Sequence, residues 1–433
     1  MLRIGKKISY QFYEGFCVIL NHADGNDYKL NSSASDIIKK IESEVSDLSA
    51  EELEFIDDLI AAGIVFDDNE TENPEQNEIG NRTGIESSVW NELTDFASKN
   101  LIPISALIEL TYRCPVKCSH CYIDRSEVTQ KQELKFDKYT EFIDDFRKLG
   151  GLYLVFTGGD PLLHKDFEKI FNYARKNRIA VSIMSSGFKS DLKLLERISK
   201  LGIMSFQTSI HGHNSEVHDR FTGVAGSFET TLNTLRFMKE LGVYVQAAVI
   251  INLNNIEFFD DIVNFLENEK INYVFNYEMF RKRNGDKAPI KLNISDDEII
   301  LCLSKTGDQG KPRLSGKMPE DAPCNAARSL VSLNPAGTVF PCLELRIPAG
   351  NIKNNRFSDI WNDSDVLKRI RQVKFKDLID CPECELKSLC NRCAGSAFKE
   401  QLKIIEHSAN DCKHAKLKQE ILLQSLDKSG NKD

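Results

Sequence analysis

The pattern of apolar and polar positions changes near residue 100. From there to about residue 280, short apolar runs alternate with stretches in which apolar residues recur at helical spacing. The apolar runs lie at 104–110, 152–157, 180–184, 204–210, 243–251 and 272–278, and the helical stretches include 167–176, 192–201 and 227–241. This alternation predicts a parallel sheet with right-handed crossovers. The fold class is therefore α/β, as either an incomplete βα barrel or an open doubly wound sheet.

The first 68 residues show another order of elements. Two strand-like runs are followed by a helix that a polar residue among 31–33 can cap. A second helix is predicted to begin at Ser49, where Glu52 completes a capping box, and to end at Gly63. Strands and helices in this order predict a winged-helix-like α+β domain over 1–68.

Two further changes of pattern divide the rest of the chain. The stretch 67–88 is acidic, rich in asparagine and glycine and poor in apolar residues, which predicts a linker. After about residue 282 the strand–helix rhythm stops, and a turn-rich segment with clustered cysteines favours a small core stapled by metal. The predicted units are a domain at 1–68, a linker and connecting helix at 69–100, the strand–helix domain at 101–285 and a cysteine-rich domain at 286–433.

Composition excludes several classes of protein. The chain has 433 residues, 41% of them hydrophobic and 28% charged, and a net charge of −9, which suits a globular protein but not a nucleic-acid binder. The N-terminus lacks the apolar core of a signal peptide, and no apolar run approaches the roughly 18 residues of a membrane helix. We therefore expect a cytoplasmic protein with no membrane partner. In a reducing cytosol, clustered cysteines more often bind metal than form disulfides.

Ten of the twelve cysteines lie at metal-ligand spacings. Cys114, Cys118 and Cys121 form a Cys-x3-Cys-x2-Cys motif directly after the first strand of the α/β segment. Three thiolates on one loop can hold three irons of a four-iron cluster and leave the fourth iron open to an outside ligand. The alternative is a structural zinc site, which needs a fourth ligand and has His120 as a weak candidate.

This motif at this position resembles the radical S-adenosylmethionine (SAM) enzymes, and the resemblance covers 104–278. It implies a partial (β/α)6 barrel and a catalytic [4Fe-4S] cluster on the three cysteines. It also implies that SAM chelates the open iron, and that an electron from the reduced cluster splits SAM to give a 5′-deoxyadenosyl radical. The electron donor would be a small redox protein such as flavodoxin or ferredoxin.

The resemblance also assigns contacts with SAM. Gly158, Gly159 and Asp160 match the family's Gly-Gly-Glu-Pro segment, whose glycines let backbone approach the ligand and whose carboxylate receives the methionyl amino group. Asp160 is one methylene shorter than the usual glutamate. The remaining implied contacts are Tyr122 beside the adenine, Ser185, Gln207 and Ser209 at strand ends, and Arg220, which could bind a carboxylate.

The C-terminal cysteines resemble the SPASM domain, which carries auxiliary four-iron clusters. By position, Cys381, Cys384, Cys390 and Cys412 would hold an outer cluster, and Cys324, Cys342 and Cys393 an inner one. Three [4Fe-4S] clusters are therefore expected in the chain. The inner set is one ligand short, so a substrate thiolate is a plausible fourth ligand. Cys302 and Cys17 are expected to be core thiols, although Cys302 or a non-cysteine residue is the alternative fourth ligand.

The N-terminal unit resembles leader-peptide recognition domains, similar to the small chaperone of pyrroloquinoline quinone synthesis. The resemblance rests on residues 16–20, 28–31 and 37–38 and on the end of the second helix near Gly63. Such domains bind the leader of a precursor peptide as an added strand at an exposed sheet edge. The alternative for a winged-helix order is DNA binding, which the acidic character of this unit disfavours.

Together these resemblances imply a maturase of a ribosomally synthesised peptide, whose radical removes a substrate hydrogen and forms a thioether, as in sactipeptide-type enzymes. Carbon–carbon cross-linking and other oxidative modifications, such as decarboxylation, are alternatives. Anaerobic sulfatase maturation is a further alternative, which is disfavoured because Leu343 and Glu344, not aspartate, follow Cys342. A peptide-binding scaffold with structural zinc and no catalysis is the alternative from a different class.

Overall fold

The computed structural model describes residues 2–45, 48–67, 87–306 and 316–430. The predicted linker at 67–88 lies almost entirely outside these residues. Within them, every helix is too short or too polar to cross a lipid bilayer.

The predicted strands and helices of the α/β segment are confirmed, most of them to within two residues of their ends. The strands are β1 (Leu2–Ile4), β2 (Ile8–Tyr13), β3 (Phe16–Asn21), β4 (Asp27–Asn31), β5 (Val65–Asp67), β6 (Ser105–Thr111), β7 (Tyr153–Gly158), β8 (Ala180–Met184), β9 (Ser205–Ser209), β10 (Val245–Ile250), β11 (Asn272–Asn276), β12 (Leu330–Leu333), β13 (Thr338–Phe340) and β14 (Gly350–Asn351). The α-helices are α1 (Ser32–Glu42), α2 (Ala50–Ala61), α3 (Ser88–Asn100), α4 (Phe136–Lys148), α5 (Phe167–Lys176), α6 (Leu192–Ser199), α7 (Ser215–Thr222), α8 (Ser227–Glu240), α9 (Phe259–Asn268), α10 (Asp296–Thr306), α11 (Phe357–Asp363), α12 (Asp365–Gln372), α13 (Ala394–Gln401) and α14 (Ala409–Gly430).

The order of the strands decides between the two predicted architectures. In the central sheet the order is β11-β10-β9-β8-β7-β6-β12-β13-β14, and β6 to β11 are parallel and adjacent in chain order. A doubly wound sheet would reverse its order near the middle. When each parallel strand lies beside the previous one in chain order and a helix connects the two, the strands form the wall of a barrel instead. The prediction of a partial (β/α)6 barrel is therefore confirmed.

The C-terminal segment extends this sheet. Strand β12 pairs in parallel with β6, with Leu330 opposite Ser105, and β13 and β14 continue the sheet as antiparallel strands. Trp361 of α11 is 1% exposed in the main core, and its indole N–H donates to the Leu101 carbonyl at 2.8 Å. The small core expected near the cysteines is also present, around Phe375 and Leu378, but it accounts for only part of the segment.

The N-terminal unit is built on an antiparallel sheet in the order β2-β3-β4. Asn31 caps α1, and Ser49 and Glu52 form the predicted capping box of α2. Strand β3 is apolar at successive positions because both faces of the sheet are covered. Ile19 packs with α1 and α2 on one face, whereas Val18 packs with α3 and the barrel on the other. The sequence analysis did not predict the short strand β1, which pairs with β5.

This unit docks at the N-terminal ends of the barrel strands. Arg175 of α5, which is 5% exposed, crosses the seam between the two. Its guanidinium donates to the Ser9 hydroxyl and to the carbonyls of Lys6, Ile8, Ile179 and Leu201. Burial lowers the pKa of Arg175 to about 9. The N-terminal unit is therefore packed against the barrel through a buried, fully hydrogen-bonded cation.

Candidate functional site

A cavity of about 220 Å³ opens at the opposite end of the barrel, where the parallel strands finish. Gly158, Met184 and Ser209, the last residues of β7, β8 and β9, line it. The predicted site residues that line it are Cys114, Cys118, Cys121, Tyr122, Gly158, Gly159, Ser185, Gln207 and Ser209. The cysteine loop and most of the expected SAM contacts therefore converge on one site. Asp160 and Arg220 do not line it.

The cysteine loop is held by contacts that leave its sulfurs to the cavity. The amide of Lys117 donates to the carbonyl of Thr222 at the end of α7, at 2.8 Å. Arg125 donates to the carbonyl of Cys114 at 3.2 Å and also to that of Val116. Because these bonds engage main-chain atoms, the loop keeps its shape without using the cysteine side chains.

Burial favours the protonated form of two thiols of this loop, Cys114 and Cys118. Burial raises the pKa of Cys114 to about 11 and that of Cys118 to about 12. A metal binds the thiolate, so loading the site would release these protons. Three thiol ligands on one loop fit a four-iron cluster with one open iron.

Cys118 also belongs to a second group of potential ligands. Its sulfur and one ring nitrogen each of His120 and His211 all lie within 4.8 Å of one another. Two imidazoles and a thiolate would suit a single zinc ion, which takes a fourth ligand as well. The donor geometry thus supports the zinc alternative at this loop as well as the cluster.

The two glycines at the end of β7 are required by the chain's own backbone. Gly158 has a φ of +124°, and a Cβ added there would lie 2.3 Å from the carbonyl oxygen of Thr111. A Cβ on Gly159 would lie 2.4 Å from the carbonyl oxygen of Arg113. Both glycines line the cavity. In the structure, however, the backbone that they approach closely is the segment that leads into Cys114. A larger residue would push β7 away from the cysteine loop.

Asp160 does not line the cavity, so its predicted contact with SAM stays a prediction. The Asp160 side chain is 2% exposed and lies behind the cavity wall. Its carboxylate accepts hydrogen bonds from the hydroxyls of Ser185 and Ser186, at 2.9 and 2.5 Å, and from the Leu162 amide at 3.1 Å. The short side chain reaches these neighbours and stops there. Burial raises the pKa of Asp160, and the hydrogen bonds oppose that rise.

Arg220 also lies away from the cavity. It is exposed on α7 and donates to the carbonyl of Asn254 at 2.8 Å, outside the cavity. His218 on the same helix does line the cavity. Residues two positions apart on a helix point in nearly opposite directions, so only one of this pair can face the site. His218 is the one that faces the cavity, and the predicted binding of a carboxylate by Arg220 stays a prediction.

Thr208 is a cavity residue that the sequence analysis missed. It is 2% exposed, and its hydroxyl oxygen has no hydrogen-bond partner among the described residues. A buried polar atom without a partner at a cavity wall marks a position where a ligand can bond. The signal was present as the polar run Gln207–Ser209 at the end of a buried strand. Together with the hydroxyls of Ser185 and Ser186, this orphaned atom fits a polar ligand such as SAM.

Three imidazoles pack beside the cysteine loop as uncharged rings. Burial lowers the pKa of His120 and of His218 to about 4 each, and that of His211 still further. The His211 amide donates to Nδ1 of His218 at 3.1 Å, which requires that nitrogen to be unprotonated. This wall therefore adds no positive charge to the site.

A buried ionic network links the cavity wall to the Cys342 segment, and no sequence motif predicted it. Glu109 of β6, which is 1% exposed, accepts hydrogen bonds from Arg283 at 2.7 Å and from Arg346 at 2.9 Å. The guanidinium of Arg283 also lies 5.0 Å from the ring centre of Tyr122. The network ties the first strand of the barrel, the cysteine loop and the C-terminal segment together.

The predicted inner set of cysteines comes together in the structure. Burial raises the pKa of Cys342 to about 12, and the nearby thiols of Cys324 and Cys393 raise it further. The Leu345 amide donates to the Cys342 sulfur at 3.2 Å. Cys302 does not join this set, because it is fully buried in the main core, where the charged groups that act on it are Lys305, Glu298 and Asp260.

The predicted outer set also comes together. Burial raises the pKa of Cys390 to about 11, with Cys412 and Cys381 among the lesser causes. Burial, Cys381 and Cys384 raise the pKa of Cys412 in the same way. Cys17, in contrast, lies in the core of the N-terminal unit. The thiol-only donor sets, one of three and one of four, fit four-iron clusters.

Comparison with protein families matches two parts of the chain. Residues 108–267 match the radical SAM superfamily, and residues 324–394 match SPASM, an iron–sulfur cluster-binding domain. The first match contains Cys114, Cys118 and Cys121, and the second contains every predicted C-terminal ligand except Cys412.

Individual relatives extend the comparison. The AdoMet-dependent heme synthase of Oleidesulfovibrio alaskensis is 24% identical over 320 residues, 67% of this chain and 82% of that protein. The subtilosin biosynthesis protein AlbA of Bacillus subtilis is 25% identical over 364 residues, 81% of this chain and 79% of that protein. The structure of Streptococcus suis SuiB bound to precursor peptide SuiA matches with a TM-score of 0.61 and 16% identity, over 95% of this chain and 100% of SuiB. The likeness to SuiB establishes the shared fold.

Proposed function

We propose that this chain modifies a ribosomally synthesised precursor peptide by forming thioether cross-links, since residues 108–267 match the radical SAM superfamily and residues 324–394 match the SPASM domain. A reduced cluster on Cys114, Cys118 and Cys121 together with SAM would supply a 5′-deoxyadenosyl radical, which removes a hydrogen atom from a carbon. The cavity at the strand ends would hold SAM against that loop. AlbA and SuiB, which their names connect with bacteriocin biosynthesis and a precursor peptide, support a peptide substrate.

The three-cysteine inner set is the observation that favours a thioether. A four-iron cluster on Cys324, Cys342 and Cys393 has one coordination position left. Cys302, the alternative ligand considered from the sequence, lies in the main core away from this set. The remaining position therefore suits a thiolate from outside the chain, such as a substrate cysteine.

The proposed reaction balances as an oxidation of the peptide. A carbon–hydrogen bond and a sulfur–hydrogen bond break, and one sulfur–carbon bond forms. One hydrogen atom leaves on 5′-deoxyadenosine, and the thiol hydrogen leaves as a proton. One electron must also leave the substrate, and accepting it is the role we propose for the C-terminal iron–sulfur groups. A flavodoxin or ferredoxin would supply the electron that starts each turnover.

We further propose that the N-terminal unit binds the leader of the precursor peptide. Strand β4 pairs with β3 along one edge, and no described strand pairs with its other edge. An extended peptide can add to such an edge through main-chain hydrogen bonds. Helices α1 and α3 both pack against β4 and would flank the added strand.

The test uses the full chain, reconstituted with iron and sulfide without oxygen. It is incubated with SAM, a reductant and a cysteine-containing candidate precursor peptide encoded beside its gene. Mass spectrometry should show the loss of two hydrogen atoms per cross-link, with a matching loss of alkylatable thiol. Cys114→Ala should abolish the change, whereas Cys302→Ala should not.

Three outcomes would separate the alternatives. Loss of hydrogen with every thiol still alkylatable would point to carbon–carbon cross-linking. About twelve iron atoms per chain are expected for three clusters. Zinc without iron in a protein loaded under these conditions would support the zinc-rich scaffold. An unchanged peptide mass with intact clusters would contradict the proposed substrate.

A further inference from the structure

Strand β11 lies at one end of the central sheet, and only one of its two edges is paired within the described part of the chain. It pairs in parallel with β10, with Val274 opposite Ala248. The strand at the other end of the sheet, β14, has two residues, whereas β11 has five. β11 therefore carries the longer open edge of this sheet, and an open edge presents unpaired N–H and C=O groups.

The groups that face the open edge belong to Tyr273 and Phe275. The amide of Ile251 in β10's segment donates to the carbonyl of Asn276 at 2.9 Å, so the main-chain groups of Asn276 face β10. Because this direction alternates along a strand, the N–H and C=O of Tyr273 and Phe275 point the other way. They have no hydrogen-bond partner among the described residues. Phe275 is 6% exposed, and a buried main-chain group without a partner marks a position where a ligand can bond.

The other residues of β11 face the inside of the barrel. Residues in register on parallel strands point to the same side of a sheet, and Ala248 lines the cavity. Val274 beside it therefore points inward, as do Asn272 and Asn276 two positions away. Both asparagines are exposed, so the inside of the barrel is open at β11.

A row of side-chain amides connects the cavity with this strand. Gln207 lines the cavity and donates to the side-chain carbonyl of Gln246 at 3.2 Å, and Asn272 is in register with Gln246. An amide both donates and accepts, and none of the three carries a charge. This wall suits a neutral polar ligand, such as the main chain of a peptide.

We propose that an extended segment of the peptide substrate pairs with the open edge of β11 and brings one of its residues to the cavity. The free donors and acceptors repeat every two residues, or about 7 Å, and another strand presents matching groups at that spacing. β11 is parallel to β7, so its edge runs from the end of the barrel that carries the N-terminal unit toward the end with the cavity. This inference rests on the proposed peptide substrate and is independent of which bond is formed.

The first measurement is hydrogen exchange by mass spectrometry in the iron-loaded enzyme, with and without the cysteine-containing candidate precursor peptide. Pairing should slow exchange in the fragment that covers β11, because the N–H groups of Tyr273 and Phe275 become bonded. The fragment that covers β14, at the opposite end of the same sheet, is the matched control and should not change.

The second measurement compares Tyr273→Pro with Tyr273→Ala. Both remove the ring and its bond to Glu267, but only proline also removes the N–H that faces the open edge. Proline is tolerated at such a position because this N–H does not bond to β10. At equal iron content, we expect Tyr273→Pro to modify the peptide with a kcat/KM at least about tenfold below that of Tyr273→Ala.

The outcomes separate this inference from the proposed function. Equal kcat/KM in the two variants, with unchanged exchange in β11, would overturn the inference and leave the peptide substrate in place. Slower exchange in β11 with an unchanged peptide mass would support binding at the edge and contradict the proposed reaction. A peptide that neither slows exchange in β11 nor is modified would contradict both. If the proline variant failed to fold, the exchange measurement on the wild type would decide alone.

Discussion

The main-chain N–H of Cys393 donates a 2.7 Å hydrogen bond to the carboxylate of Asp411. Cys393 belongs to the inner cysteine set, and Asp411 directly precedes Cys412 of the outer set at the start of α14. This hydrogen bond links the two sets directly, in addition to the short chain segment between Cys390 and Cys393.

Replacing Asp411 by alanine should impair loading of both C-terminal sets. The Cys393 amide loses its acceptor, and the first turn of α14, which carries Cys412, loses its anchor. We expect iron to fall from about twelve atoms per chain toward about four, those on the Cys114 loop. Iron analysis and Mössbauer spectroscopy after reconstitution provide the measurement. Asp411→Asn keeps the accepting oxygen and should load nearly normally; full loading of the alanine variant would show that this bond does not organise the sets.

Cys302→Ala should leave the iron content unchanged and lower stability slightly. The side chain is fully buried among apolar residues of the main core, so its loss leaves a small void that costs about 1 kcal/mol. Urea unfolding measures the change in stability, and iron analysis measures loading. Cys342→Ala is the matched comparison and should lose iron. A drop in iron with Cys302→Ala would reinstate Cys302 as the fourth inner ligand.

Arg175→Lys should loosen the N-terminal unit. Lysine keeps the charge but cannot reproduce the bonds of the guanidinium to five oxygens, which leaves buried carbonyls without a donor. We expect a loss of about 3 kcal/mol in the free energy of unfolding. Hydrogen exchange should increase most in β2. Lys176→Ala, an exposed change on the same helix, should leave the free energy of unfolding almost unchanged. If Arg175→Lys and Lys176→Ala changed it equally, the contact between the N-terminal unit and the barrel would not determine stability.

Stability should fall as the pH drops from about 6.5 toward 4, in part through His218. Burial lowers its pKa from 6.5 to about 4 in the fold, so between these values the unfolded chain binds a proton that the folded chain does not. This single group accounts for up to about 3 kcal/mol across that range. His218→Asn keeps an acceptor for the His211 amide and should flatten the pH dependence of urea unfolding in the metal-free protein. Identical slopes for the two proteins would rule out His218 as a contributor.

Local features of the chain could be predicted because their causes are local. The capping box at Ser49 depends on only four consecutive residues. The strands and helices of the barrel follow from the periodicity of apolar residues. The cysteine spacings likewise identified sets that the fold then assembled. The glycine pair was predicted because glycines let backbone approach a ligand. The structure adds a second cause, since the chain's own backbone leaves no room for a side chain at Gly159.

The features that escaped prediction depend on partners distant in sequence. Strand β12 pairs with β6, so Leu330 lies opposite Ser105, and the local sequence at neither position predicts this pairing. Arg283 and Arg346 both donate to Glu109, and their distance from it in the sequence likewise hid the contact. The position of Arg220 outside the cavity could not be predicted either, because the face of α7 that meets the cavity depends on how that helix packs.

The docking of the N-terminal unit sets a length scale for any molecule that touches both ends of the barrel. Strand β7, with six residues, separates the seam near Gly150 from the cavity at Gly158, a rise of about 20 Å. A peptide held at the N-terminal unit while one of its residues reacts in the cavity must span at least this distance. It therefore needs at least about six extended residues between the two points. A peptide with fewer residues between its bound segment and its reacting residue would bind without reacting. The length of the barrel would therefore set the minimum distance along the peptide at which modification occurs.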